Sequence, residues 1–194
     1  MALRNSQREG TLARIRPDIT PEERRSLDQL FSLTYEELRR LATRVKRSDP
    51  SNTLSPTALV NEVWVKLASS PRIAATSPLH FKRIAARAMR QVLIEAARRR
   101  NAQKRGGQGN AFFVTLDESA GGAALREDEL LALDVALDEL NRLEPRQAAI
   151  VETRFFGGLE VGEISSLLGV SEATILRDWR AAKAWLGQAL RRTA

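Results

Sequence analysis

Hydrophobic residues recur at helical spacing along almost the whole chain, and only the short stretch 112–116 (FFVTL) indicates a strand. Proline suits the first turn of a helix, so Pro21, Pro56 and Pro78 predict three helix starts. Turn-forming residues end these helices near 49–50, 69–71 and 106–107. Four further helices are predicted at 127–142, 146–156, 160–168 and 172–190. The pattern therefore predicts an all-α fold.

The predicted helices fall into two sets, which indicates two small helical domains. Residues 23–105 contain three helices able to share one core, and residues 127–192 contain the other four. The stretch 106–126 is rich in Gly, Ala and Ser and has no amphipathic face, so we expect a flexible linker there. Residues 1–22 precede the first domain as an N-terminal extension.

The composition lacks most of the side chains on which enzyme and metal chemistry depends. The chain has no cysteine and one histidine, His80, which excludes disulfides, thiolate nucleophiles and zinc sites built from cysteines or several histidines. We therefore expect no catalytic residue, no cofactor and no metal. No apolar run reaches the roughly 18–20 residues of a membrane span, and residues 1–18 lack the apolar core of a secretory signal. A cytoplasmic protein is expected, and the missing cysteines fit a reducing compartment.

Basic residues outnumber acidic ones by 31 to 24, and the excess is concentrated in the first domain. Residues 21–110 carry 18 basic and 8 acidic side chains, whereas residues 111–144 carry 2 and 9. Residues 145–194 are mildly basic, with 7 and 5. Because a fixed cationic surface binds phosphates by releasing counterions, the distribution predicts nucleic acid as a partner, held by two basic surfaces.

The stretch 161–186 (VGEISSLLGVSEATILRDWRAAKAWL) has the pattern of a helix-turn-helix. Gly169 supplies the left-handed residue of the turn, and Ser171 caps a longer helix whose inner face carries Ile175 and Trp179. The second helix of this motif enters the DNA major groove. Its predicted DNA-binding residues, most of them on the solvent-facing side, are Ser171, Glu172, Thr174, Arg177, Asp178, Arg180 and Lys183. The alternative is an ordinary helical hairpin with a solvated polar face.

The third predicted helix is unusually basic. Nine basic residues lie between positions 82 and 105, and only Glu95 opposes them: Lys82, Arg83, Arg87, Arg90, Arg98, Arg99, Arg100, Lys104 and Arg105. A merely soluble helix normally interleaves opposite charges to gain i,i+4 pairs. The run therefore favours a polyanion-binding surface over a solvated basic face.

Three segments of the chain, in the right order, resemble the bacterial extracytoplasmic-function (ECF) sigma factors of the sigma-70 family. They are LSPTALVNEVWVKLA at 54–68, FKRIAARAMRQVLIEAARRRNAQKRGG at 81–107, and LNRLEPRQAAIVETRFFGGLEVGEISSLLGVSEATILRDWRAAKAWL at 140–186. The resemblance spans roughly residues 25–190.

The resemblance implies a transcription initiation factor, not an enzyme. Residues 23–105 are similar to the sigma-2 domain, which binds the clamp helices of core RNA polymerase and opens the −10 element. Residues 127–192 are similar to sigma-4, which docks on the polymerase flap and reads the −35 element. The implied −10 residues are Phe81, Arg83, Arg87, Arg90, Arg98, Arg99 and Arg100. The implied polymerase surface is Leu59, Asn61, Glu62 and Lys66.

The chain departs from the family pattern at two places. Residues 55–58 (SPTA) stand where many members carry acids, and Arg87 stands where asparagine is common. A phosphate on Thr53, Ser55 or Thr57 would restore negative charge at a helix N-terminus, so a Ser/Thr kinase that switches the factor on is one hypothesis. The other is that these residues are helix caps and that Glu62 with apolar contacts suffices for docking. An anti-sigma factor is a further candidate partner.

Two other classes of protein share some of these features. An autonomous helix-turn-helix regulator would carry the C-terminal motif without needing the basic first domain. A phosphoryl-transfer enzyme would need a metal site in the acidic cluster Glu127, Asp128, Glu129, Asp134, Asp138 and Glu139. Asp134 and Asp138 share a helix face, but no phosphate loop accompanies them, which favours a solvated helix face.

Overall fold

The computed structural model describes residues 20–47, 55–68, 77–103 and 127–193. Within these ranges the chain forms seven α-helices and no strand. The helices are α1 Pro21–Arg47, α2 Pro56–Ala68, α3 Pro78–Gln103, α4 Glu127–Leu143, α5 Pro145–Gly157, α6 Val161–Leu168 and α7 Glu172–Thr193. The all-α prediction is confirmed. The predicted linker 106–126, with the strand-like stretch 112–116, lies outside the described residues, as does most of the N-terminal extension.

Each of the first three helices begins with a hydroxyl residue followed by proline. The hydroxyls of Thr20, Ser55 and Ser77 accept hydrogen bonds from the backbone N–H groups of Glu23, Ala58 and His80, at 3.2, 3.1 and 3.3 Å. These bonds satisfy donors that the first turn leaves without an intrahelical partner. The proline that follows has no N–H to satisfy. The positions at which these three helices begin are therefore determined by residues within one helical turn.

The first three helices pack through aliphatic and aromatic side chains. Val60 and Val63 of α2 and Ala85 and Met89 of α3 are completely buried. The ring of Phe31 on α1 lies 4.3 Å from that of Trp64 on α2, centroid to centroid. Such pairs add to the burial energy of the apolar surface.

The last four helices form a second bundle around α7. Ile175, Ala182 and Leu186 on the inner face of α7 have no exposed surface, and Trp179 is 3% exposed. Ile150 and Phe156 of α5 and Ile164 of α6 are buried in the same core. The inner face predicted for the longer helix of the helix-turn-helix is therefore confirmed.

The two bundles pack against each other, with α3 at their boundary. One face of α3 contacts α1 and α2, and another contacts α4, α5 and α6. Gly157 at the end of α5 lies so close to Ala86 that an added Cβ would stand 2.8 Å from the Ala86 Cβ. The buried hydrophobic residues of both bundles form one continuous cluster. The sequence pattern predicts two domains, whereas in this structure the two bundles share one hydrophobic core.

No helix in the described part of the chain is both long enough and apolar enough to cross a membrane.

Candidate nucleic-acid interface

The turn between α6 and α7 has the geometry that a helix-turn-helix requires. Gly169 adopts a left-handed backbone with φ of 67°, and its N–H donates to the Ser165 carbonyl at 2.9 Å. The Ser165 hydroxyl donates to the Val170 carbonyl at 2.6 Å, which holds the turn closed. A residue with a Cβ rarely adopts this φ, so glycine is needed here. The role predicted for Gly169 is confirmed.

The outer face of α7 presents charged side chains to solvent. Arg177 has a 70% exposed side chain, and Glu172 and Arg180 are also exposed. Ile175 and Trp179 occupy the opposite face and are buried, as helical periodicity requires. The arrangement leaves the first turns of α7 free to lie in a groove of DNA.

Five of the residues predicted for this face have structural partners, and one of these contacts joins the Arg177 Nε to the Asp178 carboxylate at 3.5 Å. Ser171 caps α7, since its hydroxyl accepts from the Thr174 N–H at 3.3 Å, and the two hydroxyl oxygens are 3.0 Å apart. The Nζ of Lys183 lies 5.6 Å from the ring centroid of Trp179. Asp178 is 4% exposed and accepts a 2.7 Å bond from Arg146. The expectation that Asp178 faces solvent is therefore wrong, because this carboxylate ties α7 to α5.

The basic helix α3 places its predicted −10 residues in different environments. Arg83 and Arg87 are exposed. Phe81 has no exposed surface and belongs to the core. A ring without exposed surface cannot stack on a base, so the expectation for Phe81 fails in this conformation: the ring follows the 3.6-residue apolar stripe of α3 inward.

Arg90 is held by three carboxylates of the second bundle. Its guanidinium lies 2.7 Å from Asp134, 2.7 Å from Asp138 and 3.3 Å from Glu152, and its Nη2 also donates to the Asp134 carbonyl at 2.9 Å. Burial alone would lower the pKa of Arg90, but the hydrogen bonds to Asp138 and Asp134 and the charges of Asp134 and Glu152 outweigh it and raise that pKa. Arg90 therefore faces acidic protein groups, not solvent.

Lys82 makes a similar contact about two helical turns earlier on α3. Its Nζ lies 2.7 Å from Glu163 of α6 and 2.8 Å from Glu37 of α1. Burial would lower the pKa of Lys82, and the two glutamates reverse this and raise it. Glu163 also accepts from the Glu160 N–H at 2.9 Å in a capping box. Burial would raise the pKa of Glu163, but the bonds from Lys82 and from this N–H lower it.

The arginine run at the end of α3 is divided between the two bundles. Arg98 pairs with Asp134 at 3.1 Å while its side chain stays 65% exposed. Arg99, 64% exposed, lies 3.6 Å from Glu62 of α2. Arg100 is half-buried. The run therefore retains a solvent-facing cationic surface.

The residues predicted to bind polymerase do not form one exposed patch. Leu59 is 2% exposed and belongs to the core, so its assignment to the surface is wrong. Asn61 is exposed, whereas Glu62 pairs with Arg99 and Lys66 pairs with Glu95. The polar part of the predicted surface thus lies on α2 but is joined to α3 by ion pairs.

Two of the three candidate phosphorylation sites lie at the N-terminus of α2. Ser55 and Thr57 are exposed, and the Ser55 hydroxyl is the cap of that helix. Thr53 lies outside the described residues.

The acidic face of α4 is solvated only in part, since Asp138 and Glu139 are exposed but Asp134 is not. Asp134 is 9% exposed and, with Asp138, binds Arg90. Across the described residues no three carboxylate or histidine side chains lie close enough to hold a metal ion. Sequence reasoning missed this contact, because the i,i+4 spacing of Asp134 and Asp138 places them on one face of α4 but does not show which helix packs against that face.

An all-α bundle that carries a helix-turn-helix with an exposed arginine face defines a DNA-binding protein. The model of the ECF sigma factor family matches residues 14–192, which is most of the chain. The chain therefore belongs to the ECF sigma factors of the sigma-70 family and serves transcription initiation. No curated protein and no solved structure matches it significantly.

Proposed function

We propose that the chain binds core RNA polymerase and directs it to promoters by contacting their −10 and −35 elements. Polymerase supplies the chemistry of RNA synthesis, and this chain supplies the choice of start site. The observation that supports the proposal best is the exposed face of α7, where Arg177 and Arg180 stand opposite the buried Ile175 and Trp179. Guanidinium groups in the major groove bind guanine edges in a bidentate manner and are the commonest specific contact.

We assign the contacts with the −10 element to α3. Arg83 and Arg87 are exposed on it, and Arg98 and Arg99 extend the cationic surface toward its end. Such a surface tracks the phosphates of a separated strand. A bound single strand is withdrawn from base pairing, so its capture favours opening of the duplex.

Docking on the polymerase clamp helices is assigned to the polar surface of α2, with Asn61, Glu62 and Lys66. The second bundle would dock on the flap. At the start of α2 the exposed hydroxyls of Ser55 and Thr57 stand where related factors carry acids. A kinase that phosphorylates this segment would supply the missing charge through charge-assisted hydrogen bonds to clamp arginines.

The experiment adds purified core polymerase to the chain and measures binding to promoter DNA selected from random sequence by the mixture. The proposal requires that core polymerase and chain together bind and initiate on the selected DNA, and that neither does so alone. Specific binding by the chain without polymerase would instead favour an autonomous regulator. The double variant Arg177→Ala and Arg180→Ala should lose this initiation, while the control Arg191→Ala, also exposed on α7, should keep it.

A further inference from the structure

Asp178 of α7 is a buried carboxylate that contacts two arginines at once. Its side chain is 6% exposed. The Nε of Arg146, in the first turn of α5, donates to one carboxylate oxygen at 2.7 Å, and the Nε of Arg177 lies 3.5 Å from the other. One carboxylate therefore joins an arginine on the outer face of α7 to an arginine of a neighbouring helix.

The two arginines keep much of their side chains in solvent. The side chain of Arg146 is 49% exposed and that of Arg177 is 70% exposed. Each uses its Nε toward Asp178, and among the described residues neither arginine makes a hydrogen bond through its Nη groups. Because the Nη groups of a guanidinium also carry N–H donors, both side chains can donate to a ligand while they remain next to Asp178.

The charges of these three side chains do not cancel. Two guanidinium groups share one carboxylate, which leaves a net positive charge. The negative member is buried, whereas both positive members reach solvent. A phosphate that approaches this side of α7 therefore meets N–H donors and is kept away from the carboxylate, an arrangement that favours charge-assisted hydrogen bonds.

We infer that Asp178 is a positioning residue, which holds Arg146 beside Arg177 so that Arg146 binds a backbone phosphate next to the bases that Arg177 reads. The inference rests on the proposed function, in which α7 lies in the major groove. Phosphate contacts fix the register of a protein on the duplex, and base contacts read the sequence. The DNA-binding surface thus extends from α7 to α5, and Asp178 supports it without touching DNA.

Arginine at position 146 suits this double contact better than any other cation. Its planar guanidinium directs Nε toward Asp178 and leaves the edge formed by the Nη groups for the phosphate. The ammonium of a lysine is a point charge on a flexible stem, so it does not hold such an edge between two anions. The contact with Asp178 also restricts the arginine before DNA arrives, which lowers the entropy lost on binding.

The first experiment measures the phosphate contact in the holoenzyme. The probes are a fluorescein-labelled promoter duplex selected by the parental holoenzyme and the same duplex with a scrambled −35 element. Arg146→Gln should weaken binding to both by about tenfold and lower the logarithmic salt slope by about one unit. The matched control is Arg39→Gln, because Arg39 is 53% exposed and also pairs with a carboxylate, that of Glu36 at 3.6 Å. The control should bind both duplexes as the parent does.

Arg146→Lys separates the phosphate contact from the stability of the fold. It keeps the positive charge beside Asp178, so its free energy of unfolding should match that of the parent, but its affinity for both duplexes should fall. Parental affinity of Arg146→Lys would overturn the inference, because charge alone would then suffice. Equal affinities and salt slopes of Arg146→Gln and Arg39→Gln would overturn it as well.

The second experiment tests the positioning role of Asp178 with a double-mutant cycle. Asp178→Asn keeps the size of the side chain and removes its charge, and should reduce the preference for the selected over the scrambled duplex by about fivefold or more. Arg146→Gln should then weaken binding less in the Asp178→Asn background than in the parent. The control Glu36→Gln should keep the parental preference, since it removes only the carboxylate beside Arg39.

The cycle also distinguishes a failure of this inference from a failure of the proposed function. A purely structural ion pair would lower the free energy of unfolding in both variants but leave the preference between the two duplexes unchanged, which would overturn the positioning role. Additive effects of Arg146→Gln and Asp178→Asn on binding would overturn it too, because Arg146 would then act without Asp178. If the parental holoenzyme itself shows no preference for the selected duplex, the proposed function is wrong.

Discussion

Arg90 of α3 and Asp134 of α4 form a nearly buried ion pair between the two helical bundles, with 2.7 Å between guanidinium and carboxylate. The pair joins residues 44 positions apart in the sequence. Asp138 and Glu152 complete the acidic surroundings of Arg90. Because both charges are withdrawn from water, the loss of one leaves the other with fewer compensating charges around it.

The first prediction concerns the stability that this pair confers. Arg90→Ala should lower the free energy of unfolding by about 3 kcal/mol, because it removes a cation from the side chains of Asp134 and Glu152, which are only 12% and 18% exposed. Arg98→Ala is the control, and its 65% exposed side chain should contribute no more than about 1 kcal/mol. Urea unfolding followed by tryptophan fluorescence measures both values. Equal losses for the two variants would contradict the structural role of Arg90.

Local sequence signals determine the helices of this protein but not how the bundles meet. Thr20-Pro21, Ser55-Pro56 and Ser77-Pro78 predict helix starts because cap and proline act within one turn. The Arg90–Asp134 contact depends on the packing of α3 against α4 and α5, which no local signal carries. The same basic residues that indicate a polyanion-binding helix are therefore partly paired with protein carboxylates.

The sequence pattern likewise predicts only part of the candidate DNA-binding face of α7. Arg177 and Arg180 are exposed as periodicity predicts, because they lie on the outer face of α7, away from the buried Ile175 and Trp179. Asp178 lies beside them in sequence but is buried against Arg146 of α5. Asp178 lies three residues after Ile175 and four before Ala182, at the edge of the inner face, so the position of α5 and its Arg146 decides whether this carboxylate is buried.

The second prediction concerns the recognition helix. Arg177→Ala and Arg180→Ala should each weaken binding to a −35 sequence by about 1–3 kcal/mol if the lost contact is to a base. The variants are compared with Arg191→Ala by initiation and by equilibrium binding of the holoenzyme to its selected promoter. Parent-like initiation by both variants would show that this face of α7 does not read DNA.

The third prediction concerns the arginine run at 98–100. Replacement of all three residues by glutamine should reduce the salt dependence of promoter binding, by up to about one unit of logarithmic slope per lost phosphate contact. The control replaces Arg25, Arg39 and Arg191, which are exposed elsewhere, and so removes the same charge. Circular dichroism checks that helix content is kept. If the slope is unchanged, the run is only a solvated helix end.

The fourth prediction concerns the start of α2. Thr53→Glu, Ser55→Glu and Thr57→Glu should each tighten binding to core polymerase relative to the corresponding alanine variants, because negative charge at a helix N-terminus replaces the acids of related factors. Binding is measured by titration of labelled core polymerase. Tight binding and full activity of the unmodified protein would rule out the phosphorylation switch and leave Ser55 as a helix cap.

In the proposed function, core RNA polymerase obtains its promoter specificity from this chain. Run-off transcription with purified core polymerase, the full chain and a selected promoter template tests it most directly. We expect a transcript of defined length that appears only when both proteins are present and that disappears with Arg177→Ala and Arg180→Ala combined. Transcription that starts at the same site without the chain, or that the double variant supports as well as the parent, would contradict it.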